Sequence, residues 1–234
     1  MNKRVIIKVE RLLIVMLIFF MVENITAQSS AQYYCPQPYS FSNDDYDHTI
    51  APIGWSRDGN FAALVSSHDD MCGTRTEFII LNPKSDKVLK SITLCECEDC
   101  DFENSWQKKS DKIKYYLAKF KIKQNERFYN FRDMSDRSGK DFKVSYSIIR
   151  GWDDYMETES DMGFKIKVST GYGSKIVGNY NWNIPFRGVD FLGAFKSPYE
   201  DLVLMVTGYG QLDAEGDPGR RIVLTGCSLA SGFD

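Results

Sequence analysis

The hydrophobic pattern of the chain changes character several times. Leu12 to Val22 is an unbroken apolar run of eleven residues. Beyond residue 50 the apolar residues come in short runs separated by turn residues, the pattern of β-strands. Ile53 to Ser56 reads as a strand, Arg57-Asp58-Gly59-Asn60 as a tight turn and Phe61 to Ser66 as the return strand. Asp-Gly supplies a capping side chain and a residue free to take positive φ. A loop over Ser67 to Thr76, a strand over Glu77 to Asn82, a turn at Pro83 to Asp86 and a strand over Lys87 to Leu94 complete a predicted antiparallel meander.

Between 105 and 124 the period lengthens. Trp106, Ile113, Leu117 and Phe120 recur at helical spacing among seven lysines, and Asn104-Ser105 offers a cap, so the pattern predicts an amphipathic helix lying on a sheet. Strand patterns return at 142–150, 164–170, 174–182, 191–196, 202–208 and 220–229. Lys165-Ile166-Lys167-Val168-Ser169 alternates as a half-exposed strand does. Gly210 to Gly219 reads as an acidic, glycine-rich loop. The expected fold is α+β and mainly antiparallel β. It has two sheets or a sandwich-like meander, with one amphipathic helix near 105–124.

The first residues change the picture of the whole. Lys3, Arg4, Lys8 and Arg11 precede the Leu12–Val22 run, and a polar stretch with a small residue, Ala27, follows it. Charged start, short apolar middle and small-residue exit form the pattern of a cleavable export signal. A spanning helix needs about 20 apolar residues. The expected division is a signal segment at 1–27 and one exported β-rich domain at 28–234, with an irregular arm at 28–50. Cleavage follows Ala27, or else Ala31. The expected location is periplasmic or secreted.

Charge and cysteine content refine this. The chain carries a formal −3, and its first 27 residues hold four positive and two negative side chains, so the exported part is near −5, an acidic balance that argues against nucleic-acid binding. Cys35, Cys72, Cys95, Cys97, Cys100 and Cys227 all follow the signal, and six cysteines in an exported chain read as disulfides, with pairing left open. Cys227 either pairs across the core or stays free.

Gly54-Trp55-Ser56-Arg57-Asp58-Gly59-Asn60-Phe61-Ala62-Ala63-Leu64 resembles the blade motif of TolB-type and WD40-like β-propellers, the likeness extending over 53–94, with a weaker echo at 193–207. The resemblance implies a hairpin with a Trp-anchored Asp-Gly turn. A full propeller is not expected, since it needs about four or more blades of about 40 residues.

Candidate chemistry is thin. Cys95-Glu96-Cys97-Glu98-Asp99-Cys100 could supply part of a zinc site with Cys35, Cys72, His48 or His68, but its acidic neighbours raise thiol pKa values, and disulfides are the preferred reading. His68 lies near Cys72 without the spacing of a nucleophile and its base. Asp44, Asp45 and Asp47, and Asp213 to Asp217, are read as solvated loops rather than calcium sites. Asp153, Asp154, Glu157, Glu159 and Asp161 form the acidic patch on which a carboxylate-dependent secreted hydrolase would rest. Tyr33, Tyr34, Tyr39, Trp152, Tyr155, Tyr172, Tyr180 and Trp182 fall at strand ends or in loops, where exposed rings suit carbohydrate or protein partners. No catalytic residue, metal site or cofactor is assigned. The leading expectation is a non-enzymatic binding module of a bacterial envelope, and the alternative is the hydrolase.

Overall fold

The computed structural model describes residues 39–40, 49–69, 73–96, 101–124, 135–136, 138–153, 157–182, 185–212 and 218–233. The segment expected to be an export signal, most of the expected N-terminal arm and His48 lie outside these residues.

The described part is mostly antiparallel β with one helix, in three sheets rather than two. The first sheet joins β1 (Tyr39–Ser40), β2 (Thr49–Trp55), β3 (Phe61–Asp69), β4 (Gly73–Asn82) and β5 (Lys87–Cys95) in chain order; β6 (Lys123–Gln124) pairs with β2. The second holds β7 (Lys143–Asp153), β8 (Thr158–Thr170) and β9 (Gly173–Asn181). The third holds β10 (Phe186–Lys196), β11 (Leu202–Leu212) and β12 (Pro218–Ser228).

The third sheet lies between the other two. Leu202, Leu204 and Val206 of β11 pack with Trp55, Phe61, Ile79 and Leu81 of the first sheet. Val203, Met205 and Tyr209 of the same strand pack with Phe164, Ile166 and Val168 of the second. A strand alternates its side chains between two faces, so the unbroken apolar run Leu202 to Val206 serves both cores. This is why a third layer exists: continuous apolarity marks a strand buried on both faces, and reading it only as half of a hairpin leaves that layer out.

Local chemistry fixes the elements. In the β2–β3 turn Gly59 takes φ +84°, and Ser56 Oγ accepts the Asn60 N–H at 3.0 Å. At the β4–β5 turn Asn82 Oδ1 accepts the Lys84 N–H at 2.9 Å. The helix α1 (Phe102–Lys119) starts earlier than the Asn104-Ser105 cap implied, because the Asp101 side chain accepts the Asn104 N–H. Its buried residues are Ile113 and Leu117, it packs against β5, and Lys109 Nζ donates to the Thr93 carbonyl at 2.6 Å. The loop expected at Ser67 to Thr76 is largely ladder, with Ser67 opposite Arg75 and Asp69 opposite Gly73. The arm expected to be irregular contributes β1 and the start of β2.

Candidate functional site

The second sheet has one face in the core and one open. Val144 and Tyr146 of β7 and Phe164, Ile166 and Val168 of β8 belong to the core. Alternation therefore turns Lys143, Ser145 and Ser147 of β7 and Lys165, Lys167 and Ser169 of β8 to the other side. On β9, Asn179 stands opposite Lys165 and Ile176 opposite Lys167; a bulge between the two rows leaves Val177 unpaired and packed against the core. The open face is thus a set of cross-strand rows, Ser147–Lys165–Asn179, Ser145–Lys167–Ile176 and Lys143–Ser169–Ser174. None of the three lysine side chains has a hydrogen bond or ion pair among the described residues, and no carboxylate lies within these rows. Ammonium, hydroxyl and amide groups on a flat surface can meet a ligand rich in acid and hydroxyl groups.

The aromatic candidates divide. Tyr180 and Trp182, whose sequence suits a surface or a core equally, lie in the seam between the second and third sheets. Trp182 stacks on Tyr209 at 4.6 Å and on Tyr180 at 5.9 Å, and Phe164 touches all three. Tyr180 Oη shares a hydrogen bond with Thr225 Oγ1 at 2.6 Å, and Tyr146 Oη with Thr207 Oγ1 at 3.1 Å. Burial pushes the Tyr146 phenol up to about 12 and raises those of Tyr180 and Tyr209. These hydroxyls serve the core. Trp152 and Tyr172 are 62% and 66% exposed, at opposite ends of the sheet, and the Tyr172 ring carries the Lys140 ammonium. Tyr33, Tyr34 and Tyr155 lie outside the described residues, as does the side chain of Tyr39.

The acidic patch spreads along the β7–β8 hairpin. Asp153 is buried at the end of β7, Glu157 stands in the turn at φ +50°, and Asp161 meets Arg150 at 3.6 Å. Asp154 lies outside the described residues. Cys95 ends β5, is buried and is disulfide-bonded. Cys35, Cys72, Cys97 and Cys100 lie outside the described residues. Cys227 is free. It sits in the apolar seam with Met205 and Leu229, where burial pushes its thiol up to about 11, the character of a small core hydrophobe rather than a nucleophile. Among the described residues no three His, Cys, Asp or Glu side chains come together to hold a metal.

The signal that could have located the open face was the alternation over 165–169; the serines and asparagine beside it depend on register, which single segments do not carry. No protein-family model, curated protein or solved structure matches the chain.

Proposed function

We propose that the chain is an exported, non-enzymatic binding module of a bacterial envelope, and that the open face of β7, β8 and β9 is its binding surface. The observation that carries this reading is the set of Lys143, Lys165 and Lys167 side chains, without a hydrogen-bond or ion-pair partner among the described residues, interleaved with Ser145, Ser147 and Asn179. Cations, hydroxyls and an amide without a carboxylate suit an acidic polysaccharide, which brings negative charge and many hydroxyls together. Strands of 9 to 13 residues give an extended polymer room to lie along them. The export half of the reading rests on the basic, apolar and small-residue succession of the first 27 residues.

Titration with polygalacturonate, against neutral dextran as control, tests the surface. Salt-sensitive binding to the acidic polymer is expected, weakened about tenfold or more in K143A/K165A/K167A. Equal affinity in the variant would remove the surface from consideration. Intact mass of the protein from expressing cells tests export, the expected N-terminus being Gln28.

A further inference from the structure

Residues 102–123 carry seven lysines and two carboxylates, a balance of +5 in a chain whose total is −3. The fold engages part of this charge. Lys109 turns inward to the Thr93 carbonyl, Lys114 meets Asp111 at 3.7 Å and Lys121 meets Asp58 at 3.6 Å. Of the others, Lys123 lies on β6, and Lys108, Lys112 and Lys119 stand on the helix with Tyr115 between them, at positions i, i+4, i+7 and i+11. That spacing makes one stripe along the helix. All four are exposed, on the side away from the buried Ile113 and Leu117.

The stripe continues onto β5. The Tyr115 and Tyr116 rings meet at 5.1 Å, Lys119 stands 5.9 Å and Lys90 of β5 5.0 Å from the Tyr116 ring centre. On the same strand Val88, two residues from Lys90, is 62% exposed, and Leu89, at a bulge in the β4–β5 ladder, is 39% exposed. Tyr115 is 61% exposed. Ammonium groups on long stems therefore alternate with an amphipathic ring and aliphatic side chains that the fold leaves in water.

We propose that this stripe docks the protein on the surface of an anionic lipid bilayer. Lysines reach the phosphate plane while their stems and the tyrosine ring settle among the headgroups. On the helix the stripe is convex and one side chain wide. A laterally fluid headgroup layer meets such a shape without a matching contour, whereas a protein partner would need a complementary patch of roughly 800 Å². Among the described residues no helix is long and apolar enough to cross a membrane, so the contact is peripheral. It uses a different element from the open sheet face.

Sedimentation of the full chain with phosphatidylcholine vesicles, with and without phosphatidylglycerol, tests the proposal. Binding is expected to phosphatidylglycerol-containing vesicles and to weaken as salt is added. Each lysine near an anionic surface strengthens binding about fivefold. K108E/K112E/K119E should therefore lose on the order of a hundredfold or more, with an unchanged thermal transition showing that it is folded. Y115S should weaken binding several-fold without altering the salt dependence. Equal binding of wild type and triple variant would overturn the assignment, and so would binding to soluble poly-glutamate but not to vesicles, which would name an acidic peptide instead.

Discussion

Asp86, in the turn between β4 and β5, accepts a hydrogen bond from the backbone N–H of Gly226 in β12 at 2.7 Å. The turn of the first sheet is thereby tied to an edge strand of the third, satisfying an N–H that an edge would leave unpaired. Lys84 of the same turn meets Glu200, in the β10–β11 turn, at 2.8 Å. Two polar contacts thus fasten the first sheet to the third beside their shared apolar core.

The Asp86 contact has a pH signature. Burial raises its pKa, and the Gly226 N–H only partly offsets this. A folded pKa above the unfolded one means that stability from this group is complete below the ordinary carboxylate range and is lost as pH rises through the raised value. D86N keeps an acceptor for Gly226 without burying a charge. Its melting temperature should therefore match or exceed wild type at neutral pH and lose that advantage near pH 3. D86A orphans the Gly226 N–H and should cost about 1–3 kcal/mol at both. A D86N that melts lower than D86A at neutral pH would contradict this account.

The same docking makes Gly226 irreplaceable. A Cβ there would lie 1.6 Å from the Pro83 carbonyl oxygen, a backbone atom that cannot swing aside. G226A should cost about 3 kcal/mol or more, above the usual range for overpacking. G171A, where an added Cβ meets nothing within 4 Å, is the matched control and should leave the urea midpoint nearly unchanged. Equal midpoints for the two variants would mean that the turn does not press on β12.

Some of this was legible in the sequence and some was not, and the division follows locality. The hairpin from Trp55 to Phe61 closes through bonds within five residues, Ser56 N to the Asn60 carbonyl and Gly59 N to the Ser56 carbonyl, so Asp-Gly announces it. The helix is visible in its period, but Asp101, Asn104 and Ser105 are all competent caps, and only the structure chooses Asp101. Tyr180 and Trp182 suit a surface or a core equally in the sequence, because nothing near them shows that Tyr209 and Thr225 cover them. The open face was half legible. The lysine alternation on β8 stands out, while Ser145, Ser147 and Asn179 join it only through ladder register, including a bulge at Val177 whose one local mark is the neighbouring Gly178.

Cys227 should be chemically silent in the folded protein. With its thiol pushed up to about 11, only about one in a thousand is thiolate at pH 8. Iodoacetamide should leave the peptide containing Cys227 unmodified under native conditions and label it once urea unfolds the chain, with no reductant added. Labelling within minutes in native buffer would show that the seam between the second and third sheets is open to solvent.

Tyr209, buried, and the half-buried Tyr146 and Tyr180 set the alkaline limit of stability. Unfolded phenols ionise near pH 10. Tyr146 holds its proton to about 12, and burial raises Tyr180 and Tyr209 as well, so the folded state keeps protons that the unfolded state has lost. Stability from these groups is complete below pH 10 and falls as pH rises through the folded values. The melting temperature should drop steeply from pH 10 upward, and phenolate absorbance should rise together with unfolding rather than before it. Y180F should flatten part of that slope and, at neutral pH, cost about 1–3 kcal/mol, because it strips the buried Thr225 hydroxyl of the bond at 2.6 Å. The double variant Y180F/T225V removes both partners and should recover part of the loss, giving a favourable coupling near 1 kcal/mol for the wild-type pair. Strict additivity of Y180F and T225V would show that the two hydroxyls do not depend on each other.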